Sequence, residues 1–274
     1  NLGVEIKLNE RVTKITKEDD LFIVTTSRNI YKANKVVIAT GGLSYPHTGS
    51  TGDGYEFAKE LGHTIVQQVA ALSALKIKEE IPSDLYKFTL KNAMLKIEGN
   101  NYKAQEFGEI TFYKEGVAGA TALTLSSLIN KIDQKSLNLS IDLKPALSFE
   151  KLDERLLREI KDSKNLIVKD ILVKLLPTEL LEWFIKLTKI DPNLSLVSLK
   201  KEERQHIVTS LKNFKLTYDG LDSIERATVT SGGVSTKEIN PKNKSNEKIF
   251  TFSLRHACEP HWLCRSSDGQ TDGR

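Results

Sequence analysis

A glycine-rich stretch carries the residue types that could bind an anionic cofactor. Five glycines fall within residues 41–54, between the apolar run 36–39 and a helical pattern that begins near Asp53. Glycine lets a ligand approach the backbone closely, and free N–H groups at a helix start favour negative charge. Thr40 adds a hydroxyl that can donate to a phosphate or ribose oxygen. The stretch predicts contacts to a nucleotide, and a connecting turn with no ligand is the alternative reading.

Single side chains near this stretch have two readings each. Asp53 could position a ligand hydroxyl, but an acidic residue at a helix start more often caps the helix, which we favour. His47 could donate a proton, although a solvent-facing loop histidine is the simpler reading. His63 is expected to interact with the helix C-terminal carbonyls, and His206 to lie on the surface. Because no motif arranges a Ser–His–Asp or Cys–His set, no catalytic residue is predicted.

The elements that must position these residues begin with strands. Alternating apolar residues predict a β-meander over residues 1–40, with its first strand at 4–8. The run 36–39 does not alternate, which predicts a strand covered on both faces, as in a parallel sheet. The helix that follows is predicted to end at Gly62. Residues 64–145 are predicted to be mostly strands, with a helix near 120–132.

Helical spacing replaces the strand pattern from Ser148, a plausible N-cap, to about Asn213. Pro177 marks a boundary between two of these helices. Strand character returns after residue 213 and continues through the T-S-G-G segment at 230–233. The order of strands, helices and strands predicts a helical subdomain within a β-rich domain, itself inserted in an α/β domain.

Composition excludes several function classes. The chain has 274 residues and a net charge of +4, with lysines spread beside glutamates, so no nucleic-acid partner is expected. No apolar run approaches the roughly 18 residues that span a bilayer, and no signal peptide is apparent, so no membrane partner is expected. The chain opens at Asn1 almost directly in a strand pattern, which is typical of a piece of a longer polypeptide.

The last 25 residues differ in kind from the rest. Residues 250–274 contain no lysine and include both cysteines, as a frameshift or a foreign tail would. Four residues there form a compressed soft-metal set: His256, Cys258, His261 and Cys264. Zinc sites usually have two ligand pairs separated by a longer loop, so we predict a disordered tail and no metal site. The absence of cysteine before residue 250 fits a reducing cytoplasm.

Longer motifs resemble one family of flavoproteins. The family's motif is similar to the segment G-G-L-S-Y-P-H-T-G-S-T-G-D-G-Y-E-F-A-K-E-L-G-H. Later segments fall in the family's order: G-E-I-T-F-Y, I-D-L-K-P and A-T-V-T-S-G-G-V-S-T-K-E-I-N-P-K. Over about residues 1–245, the chain therefore resembles the bacterial NAD(P)/FAD-dependent oxidoreductases that include the bile-acid Δ4,6-reductase.

The resemblance implies an FAD enzyme in which NAD(P)H reduces the flavin and hydride passes to a small organic acceptor, such as an enone. A flavin oxidase with an amine-type substrate and a truncated product without activity remain alternatives. Tyr45 would then stack on the flavin or shield the loop. By the same resemblance, the cofactor-binding residues are Val12 near the adenine, Thr40, Gly41 and Gly42 in the FAD cleft, and Gly232 and Gly233 near the flavin ring or substrate.

The implied fold is α/β, and α+β overall, with a partial FAD-binding two-dinucleotide-fold domain, an inserted β-domain and a helical subdomain. The chain departs from the family pattern in lacking the N-terminal GxGxxG segment and the closing segment. The predicted domains are, in order, the partial FAD domain at 1–66, the β-rich insert at 67–146 and the helical subdomain at 147–214. They are followed by the return strands of the β-rich domain at 215–235, the return to the FAD domain at 236–249 and the tail at 250–274.

Overall fold

The structure, a computed structural model, describes residues 3–99, 101–161, 166–238 and the backbone of 251–252. The chain divides into two compact units, of which one comprises Asn1–Val69 with Ile224–Arg274 and the other Ala70–Ser223. Each unit has a hydrophobic core of its own. The predicted α/β class is confirmed by the mixture of helices and sheets, whereas the six domain boundaries stay a prediction.

The described part of the first unit has short strands and one α-helix. Their bounds are β1 Val12–Glu18, β2 Leu21–Thr26, β3 Ile30–Ala33, β4 Val37–Ile38, α1 Asp53–Glu60, β5 Ile65–Ala71, which runs two residues past Val69, β13 Val229–Val234 and β14 Thr251–Phe252. Strands β1, β2 and β3 form an antiparallel sheet, and β13 pairs with β5. The predicted alternation holds in this sheet, because the side chains of Ile15 and Phe22 point inward and are buried. They pack with Ile38, Phe57 and Val234 into the core of this unit.

Helix α1 ends as predicted at Gly62. The Gly62 amide donates to the Lys59 carbonyl at 2.9 Å, and the His63 amide donates to the Ala58 carbonyl at 3.0 Å. Gly62 has a φ of +90°, the left-handed conformation that such a Schellman ending requires. Local sequence therefore determines where the helix stops, and it places His63 directly beyond the last turn.

Two strand predictions are wrong. Residues 4–8 form no strand, and their alternating apolar side chains Val4, Ile6 and Leu8 are 74%, 76% and 76% exposed. Alternation marks a potential apolar face, but a strand also needs a hydrogen-bonding neighbour. None of the described residues supplies that neighbour for 4–8.

The described residues do not cover the run 36–39 on both faces. Strand β4 contains only Val37–Ile38, and it pairs in parallel with Thr251–Phe252. Ile38 is buried in the core of the unit, whereas Val37 is 59% exposed. The described residues thus cover one face of β4 and leave the other face open.

The second unit contains a seven-stranded sheet, whose strands are β6 Leu75–Ile77, β7 Thr89–Gly99, β8 Tyr102–Tyr113, β9 Gly116–Ala118, β10 Asn138–Asp142, β11 Phe214–Leu216 and β12 Tyr218–Leu221. Its spatial order is β11-β10-β7-β8-β9-β6-β12, with antiparallel pairing throughout. Strands β10 and β11 are neighbours although about 70 residues separate them, and that interval contains most of the helices of this unit.

The helices of this unit are α2 Ala120–Ile129, α3 Phe149–Lys161, α4 Val168–Leu175, α5 Thr178–Thr188 and α6 Lys201–Lys212. The predicted N-cap of α3 is confirmed, because Ser148 Oγ accepts from the Lys151 amide at 3.2 Å. Pro177 directly precedes α5, as predicted. Within the part of the chain that the structure describes, no helix is long and apolar enough to cross a bilayer.

Aromatic side chains join the helices to the sheet. The Trp183 ring meets the rings of Phe112 and Phe214 edge-on, with centroid distances of 5.7 and 5.4 Å. Phe184 packs on Phe214 at 5.3 Å, and the Trp183 indole donates to the Glu80 carbonyl at 3.0 Å. One hydrophobic core therefore extends from the sheet into the helical region.

A buried ion pair lies where α6 returns to the sheet. Lys212 Nζ is 2.7 Å from Asp142 Oδ2, and each side chain is 7% exposed. The same ammonium donates to the carbonyls of Lys144 at 2.9 Å and Leu147 at 2.6 Å. Asp142 Oδ1 accepts from the Lys144 amide at 3.0 Å. The pair is thus hydrogen-bonded on both sides, as a buried charge requires.

Candidate functional site

Thr230 holds the loop that follows β4. Its hydroxyl oxygen accepts from the amides of Leu43 at 2.9 Å and Ser44 at 3.1 Å, and it lies 3.0 Å from Ser44 Oγ. The next amide, that of Tyr45, donates to the Glu225 carbonyl at 2.9 Å. Because Thr230 is 1% exposed, these bonds are shielded from water. The glycine-rich loop is therefore held in one arrangement by the segment that enters β13.

Thr40 and Asp53 form hydrogen bonds at the start of α1. Thr40 Oγ1 accepts from the Gly54 amide at 3.2 Å, so the threonine hydroxyl satisfies an amide of the first helical turn. Gly52 occupies the N-cap position with a φ of +80°. The prediction that Asp53 caps the helix is wrong, because both of its carboxylate oxygens bind Arg11 Nη2, at 3.1 and 2.9 Å.

The neighbours of Gly41 and Gly42 explain why both are glycine. A Cβ at Gly41, where φ is +76°, would lie 2.4 Å from Ser50 Oγ. A Cβ at Gly42 would lie 2.7 Å from Thr230 Oγ1 and 3.1 Å from the Tyr55 hydroxyl. Gly42 is buried and Gly41 is exposed. A cofactor could therefore reach the backbone from the Gly41 side, whereas protein atoms fill the space beside Gly42.

Gly232 is also required by a close approach within the chain. Its φ is +101°, and a Cβ there would lie 2.3 Å from the carbonyl oxygen of Gln67 in β5. Gly233 has a φ of +111°. The remaining predicted residue, Val12, lies half-buried at the start of β1 opposite Thr26. The structure thus brings Gly42 against Thr230, two positions before Gly232, and leaves Val12 in the three-stranded sheet.

Among the described histidines of this unit, His63 has a buried side chain. Its Nδ1 lies 3.0 Å from Glu238 Oε2, and its side chain is 7% exposed. Glu238 also accepts from the Thr64 amide at 3.0 Å. Hydrogen bonds from Thr64, and then from His63, hold the pKa of Glu238 below its usual value. The expected contact with the helix carbonyls is made by the His63 amide, while its ring pairs with a carboxylate.

The other histidines in the described residues lie at the surface. His47 is exposed in a short 3₁₀ turn, with its ring at the edge of the Tyr45 ring, 5.7 Å between centroids. His206 is exposed, as predicted, and its Nε2 lies 2.9 Å from the Thr188 carbonyl. Tyr45 is 42% exposed with a φ of 53°. The contact between Tyr45 and His47 gives the loop an aromatic outer surface.

A groove of about 610 Å³ lies beside the loop, between α1 and β5. Asp53, Glu56, Lys59 and His63 contribute polar groups to it, and Gln68 faces them from β5. A volume of this size falls within the range of roughly 300–1,000 Å³ that small-molecule sites occupy. A smaller cavity of about 380 Å³ lies in the helical region of the other unit.

Thr230 and Ser231 were missed by sequence reasoning, which weighed only the glycines of the T-S-G-G segment. The available signal was a pair of hydroxyl residues directly before two glycines in a strand pattern. Ser231 is 1% exposed, and its hydroxyl has no hydrogen-bond partner among the described residues. Hydroxyl groups and glycines thus share this buried corner of the first unit.

Comparison with known proteins decides the family. Residues 69–229 match the family described as "HI0933-like protein barrel and H2TH domain". The chain belongs to this family. Residues 1–64 match a second family, described as "Pyridine nucleotide-disulphide oxidoreductase". The resemblance to flavoprotein oxidoreductases is therefore confirmed.

Three curated relatives are similar along most of the chain. The 3-dehydro-bile acid delta(4,6)-reductase of Clostridium scindens is 23% identical over 240 residues, which are 87% of this chain and 59% of the relative. The ribosomal RNA dihydrouridine synthase of Haemophilus influenzae is 25% identical over 252 residues, or 90% of this chain and 60% of the relative. That of Escherichia coli is 26% identical over 251 residues, with 90% and 60% covered. The chain thus spans about 60% of the length of these relatives.

The two family matches fall on different parts of the chain. The loop at 40–54 and α1 lie within the oxidoreductase match, whereas the match to the barrel and H2TH family covers the seven-stranded sheet and the helices. Gly232 and Gly233 lie just beyond both matches. No metal-binding cluster of three or more His, Cys, Asp or Glu occurs among the described residues, and the cysteine and histidine set of the tail lies outside them.

Replacing Thr230 with valine is expected to lower the free energy of unfolding by about 1–3 kcal/mol, because two partly buried amides lose their buried acceptor. The change keeps the side-chain shape. Hydrogen exchange at Leu43 and Ser44 should accelerate together with the loss of stability. Thr13→Val is the matched control, since it removes one exposed hydrogen bond to Thr25. Equal effects of the two changes would show that Thr230 does not hold the loop.

Proposed function

We propose that this chain is part of an FAD-dependent oxidoreductase that passes hydride between NAD(P)H, flavin and a small organic substrate. The carrying observation is the loop after β4, which Thr230 holds in place and which exposes Gly41 inside the region matched by the oxidoreductase family. The absence of cysteine before residue 250 supports a cytoplasmic location.

Thr40 and Gly41 are the residues that we propose to face the cofactor directly, whereas Gly232 and Gly233 are buried in β13, and we propose that they let this strand, which carries Thr230, pack behind the loop. The exposed Gly41 backbone suits an anionic diphosphate, because a glycine at positive φ lets the ligand come close. Thr40 Oγ1 already accepts from Gly54, which leaves its hydroxyl proton for a ribose or phosphate oxygen. Gly42 would act indirectly, by allowing Thr230 to approach the loop. When bound, the reduced flavin supplies hydride.

The relatives suggest one substrate class. One is named as a delta(4,6)-reductase of a 3-dehydro bile acid, and two as synthases of dihydrouridine in ribosomal RNA. Each name describes saturation of a carbon–carbon double bond conjugated to a carbonyl group. We therefore propose an α,β-unsaturated carbonyl compound as the substrate, with hydride added to the β-carbon and a proton to the α-carbon. We propose that the partner is a small molecule and that the chain binds no nucleic acid.

The test is flavin binding by the purified chain. Incubation with FAD followed by desalting is expected to leave flavin absorbance bands with the protein, and anaerobic NADH or NADPH should bleach them. An added enone should then restore the bands. Bleaching by an amine with peroxide release would instead indicate an oxidase, and a chain that gains no bands would overturn the proposal for this chain.

A glycine pair tests the position of the cofactor. Gly41→Val is expected to abolish FAD binding, because Gly41 is the exposed residue of the loop's first turn. Gly49→Val is the control, since Gly49 also has a positive φ, +97°, and has no atom within 4 Å of an added Cβ. Both variants share the backbone strain, but only Gly41→Val also meets Ser50 Oγ, 2.4 Å from the added Cβ. Gly41→Val is therefore also made together with Ser50→Gly, which removes that clash, and FAD retention that stays lost in this double variant reports the site. Equal retention would place the cofactor elsewhere.

A further inference from the structure

We propose that the groove between α1 and β5 binds a ribonucleoside 5′-phosphate whose ribose carries free 2′- and 3′-hydroxyls. The inference rests on the proposed function, because both the nicotinamide donor and FAD contain an adenosine unit of this kind. It goes further by assigning a second place on the molecule and a chemical preference. The groove's volume of about 610 Å³ is ample for such a unit.

Two charged groups of α1 define the polar side of the groove. Glu56 and Lys59 both line it, are exposed, and form no ion pair with any other described residue. Residues three apart on a helix share a face, with roughly 5–6 Å between their Cβ atoms. Asp53 also lines the groove, but Arg11 occupies both of its oxygens. The groove therefore offers one available carboxylate and one available ammonium, side by side.

This charge pattern selects a ligand with hydroxyl donors next to an anion. A carboxylate accepts from the hydroxyls of a ribose, as acidic residues do in dinucleotide-binding folds. An ammonium binds phosphate oxygens as a compact positive charge. The ribose diol and the 5′-phosphate leave opposite ends of one sugar, so Glu56 can hold the diol while Lys59 holds the phosphate. A purely cationic or purely anionic ligand would leave one of these side chains opposed by a like charge.

The opposite wall can accommodate a base. Gln67 and Gln68 line the groove from β5, and carboxamide groups hydrogen-bond to base edges. The Gln68 Nε2 donates to the Val66 carbonyl at 2.8 Å, which fixes the orientation of the carboxamide and leaves its oxygen as an acceptor for a base amino group. Leu43 and Ile65 add apolar surface to the lining for the base faces. An acceptor on this wall suits a base with an exocyclic amine, such as the adenine of the nicotinamide donor and of FAD, and disfavours uracil.

The carboxylate of Glu56 also predicts discrimination. A 2′-phosphate replaces a hydroxyl donor with negative charge beside Glu56, so NADH should bind more tightly than NADPH. A uridine inside an RNA strand has its 3′-oxygen in a phosphodiester and cannot present a free diol. The groove is therefore assigned to a free nucleotide or dinucleotide.

Calorimetric titration of the full chain with AMP tests the site without any activity measurement. AMP is expected to bind at one site, with about tenfold weaker binding to Glu56→Gln and to Lys59→Met, the size of one lost charge-assisted hydrogen bond. Glu60→Gln is the control on the same helix, because Glu60 is exposed but does not line the groove. Folding of each variant is verified by its far-ultraviolet circular dichroism spectrum.

Further ligands identify the source of the nucleotide. NADH should bind about tenfold more tightly than NADPH, and Glu56→Gln should remove that difference. Tighter binding of FAD than of NADH would assign the groove to the flavin's adenylate, and the reverse would assign it to the electron donor. No saturable AMP binding, or equal affinities for NADH and NADPH, would overturn the proposal. Flavin retention by Glu56→Gln is measured independently of AMP binding, so failure of the groove proposal can be told apart from failure of the proposed function.

Discussion

Replacing Asp142 with alanine is expected to lower the free energy of unfolding of the sheet-and-helix unit by about 3–5 kcal/mol. The change leaves the ammonium of Lys212, which is 7% exposed, without its counter-charge. Removing one partner of a buried ion pair is costly because the remaining charge is shielded from water and no longer has an opposite charge beside it. Denaturant unfolding followed by the fluorescence of Trp183, which is buried in the same core, measures the effect.

Glu182→Ala is the matched control for this prediction. Glu182 and Lys169 form a pair of the same length, 2.7 Å, but their side chains are 73% and 43% exposed. An exposed pair contributes less than about 1 kcal/mol. The double change Asp142→Leu with Lys212→Met should recover part of the lost stability, since it removes both buried charges of this pair and leaves Lys96, which lies 3.4 Å from the same carboxylate and is 22% exposed, in reach of water. If Asp142→Ala lowers the free energy of unfolding no more than Glu182→Ala does, the result contradicts the burial of the Asp142–Lys212 pair.

Replacing Gly232 with alanine is expected to lower the free energy of unfolding of the first unit by about 4 kcal/mol or more. A side chain at a φ of +101° carries a conformational cost of about 1–3 kcal/mol. In addition, the new Cβ would lie 2.3 Å from the Gln67 carbonyl oxygen, a backbone atom that cannot rotate away. Strands β13 and β5 would have to separate. Hydrogen exchange at residues 65–71 and the denaturation midpoint measure the change.

Gly220→Ala separates the two causes. Gly220 has a nearly equal φ of +108°, yet nothing lies within 4 Å of its added Cβ. It should therefore show only the conformational cost, about 1–3 kcal/mol. The excess at Gly232 measures the close approach of the two strands. Equal costs at both positions would mean that β5 can move aside.

Helices were the most predictable part of this fold. Their local signals, such as Ser148 before α3 and Gly62 after α1, depend on neighbouring residues only, and the structure confirms both. The order of strands in the seven-stranded sheet could not be predicted, because adjacent strands such as β10 and β11 are far apart in sequence. Residues 4–8 failed for the same reason: alternation predicts a face but says nothing of a neighbouring strand.

Close packing around the glycines was predictable from the sequence, whereas the atoms that pack there were not, and the binding of a cofactor stays a prediction. The glycines indicated a backbone that must be approached closely, and Gly42 and Gly232 are approached closely by atoms of this chain itself. The residue that approaches Gly42, Thr230, is 188 positions away in sequence, so no local motif could pair them. Likewise, the Asp53 carboxylate binds Arg11 Nη2 and does not cap the helix, although an acidic residue at a helix start locally favours capping.

The adjacency of β10 and β11 has an architectural consequence. Their antiparallel register, with Ile141 opposite Phe214, puts the exit and the re-entry of the chain at one point on the sheet. A backbone bond from the Leu143 amide to the Leu211 carbonyl, 2.9 Å, fastens the two passages just outside it. The helices between these two passages, α3 to α6, can therefore lengthen, shorten or be exchanged between related chains without altering the connectivity of the strands.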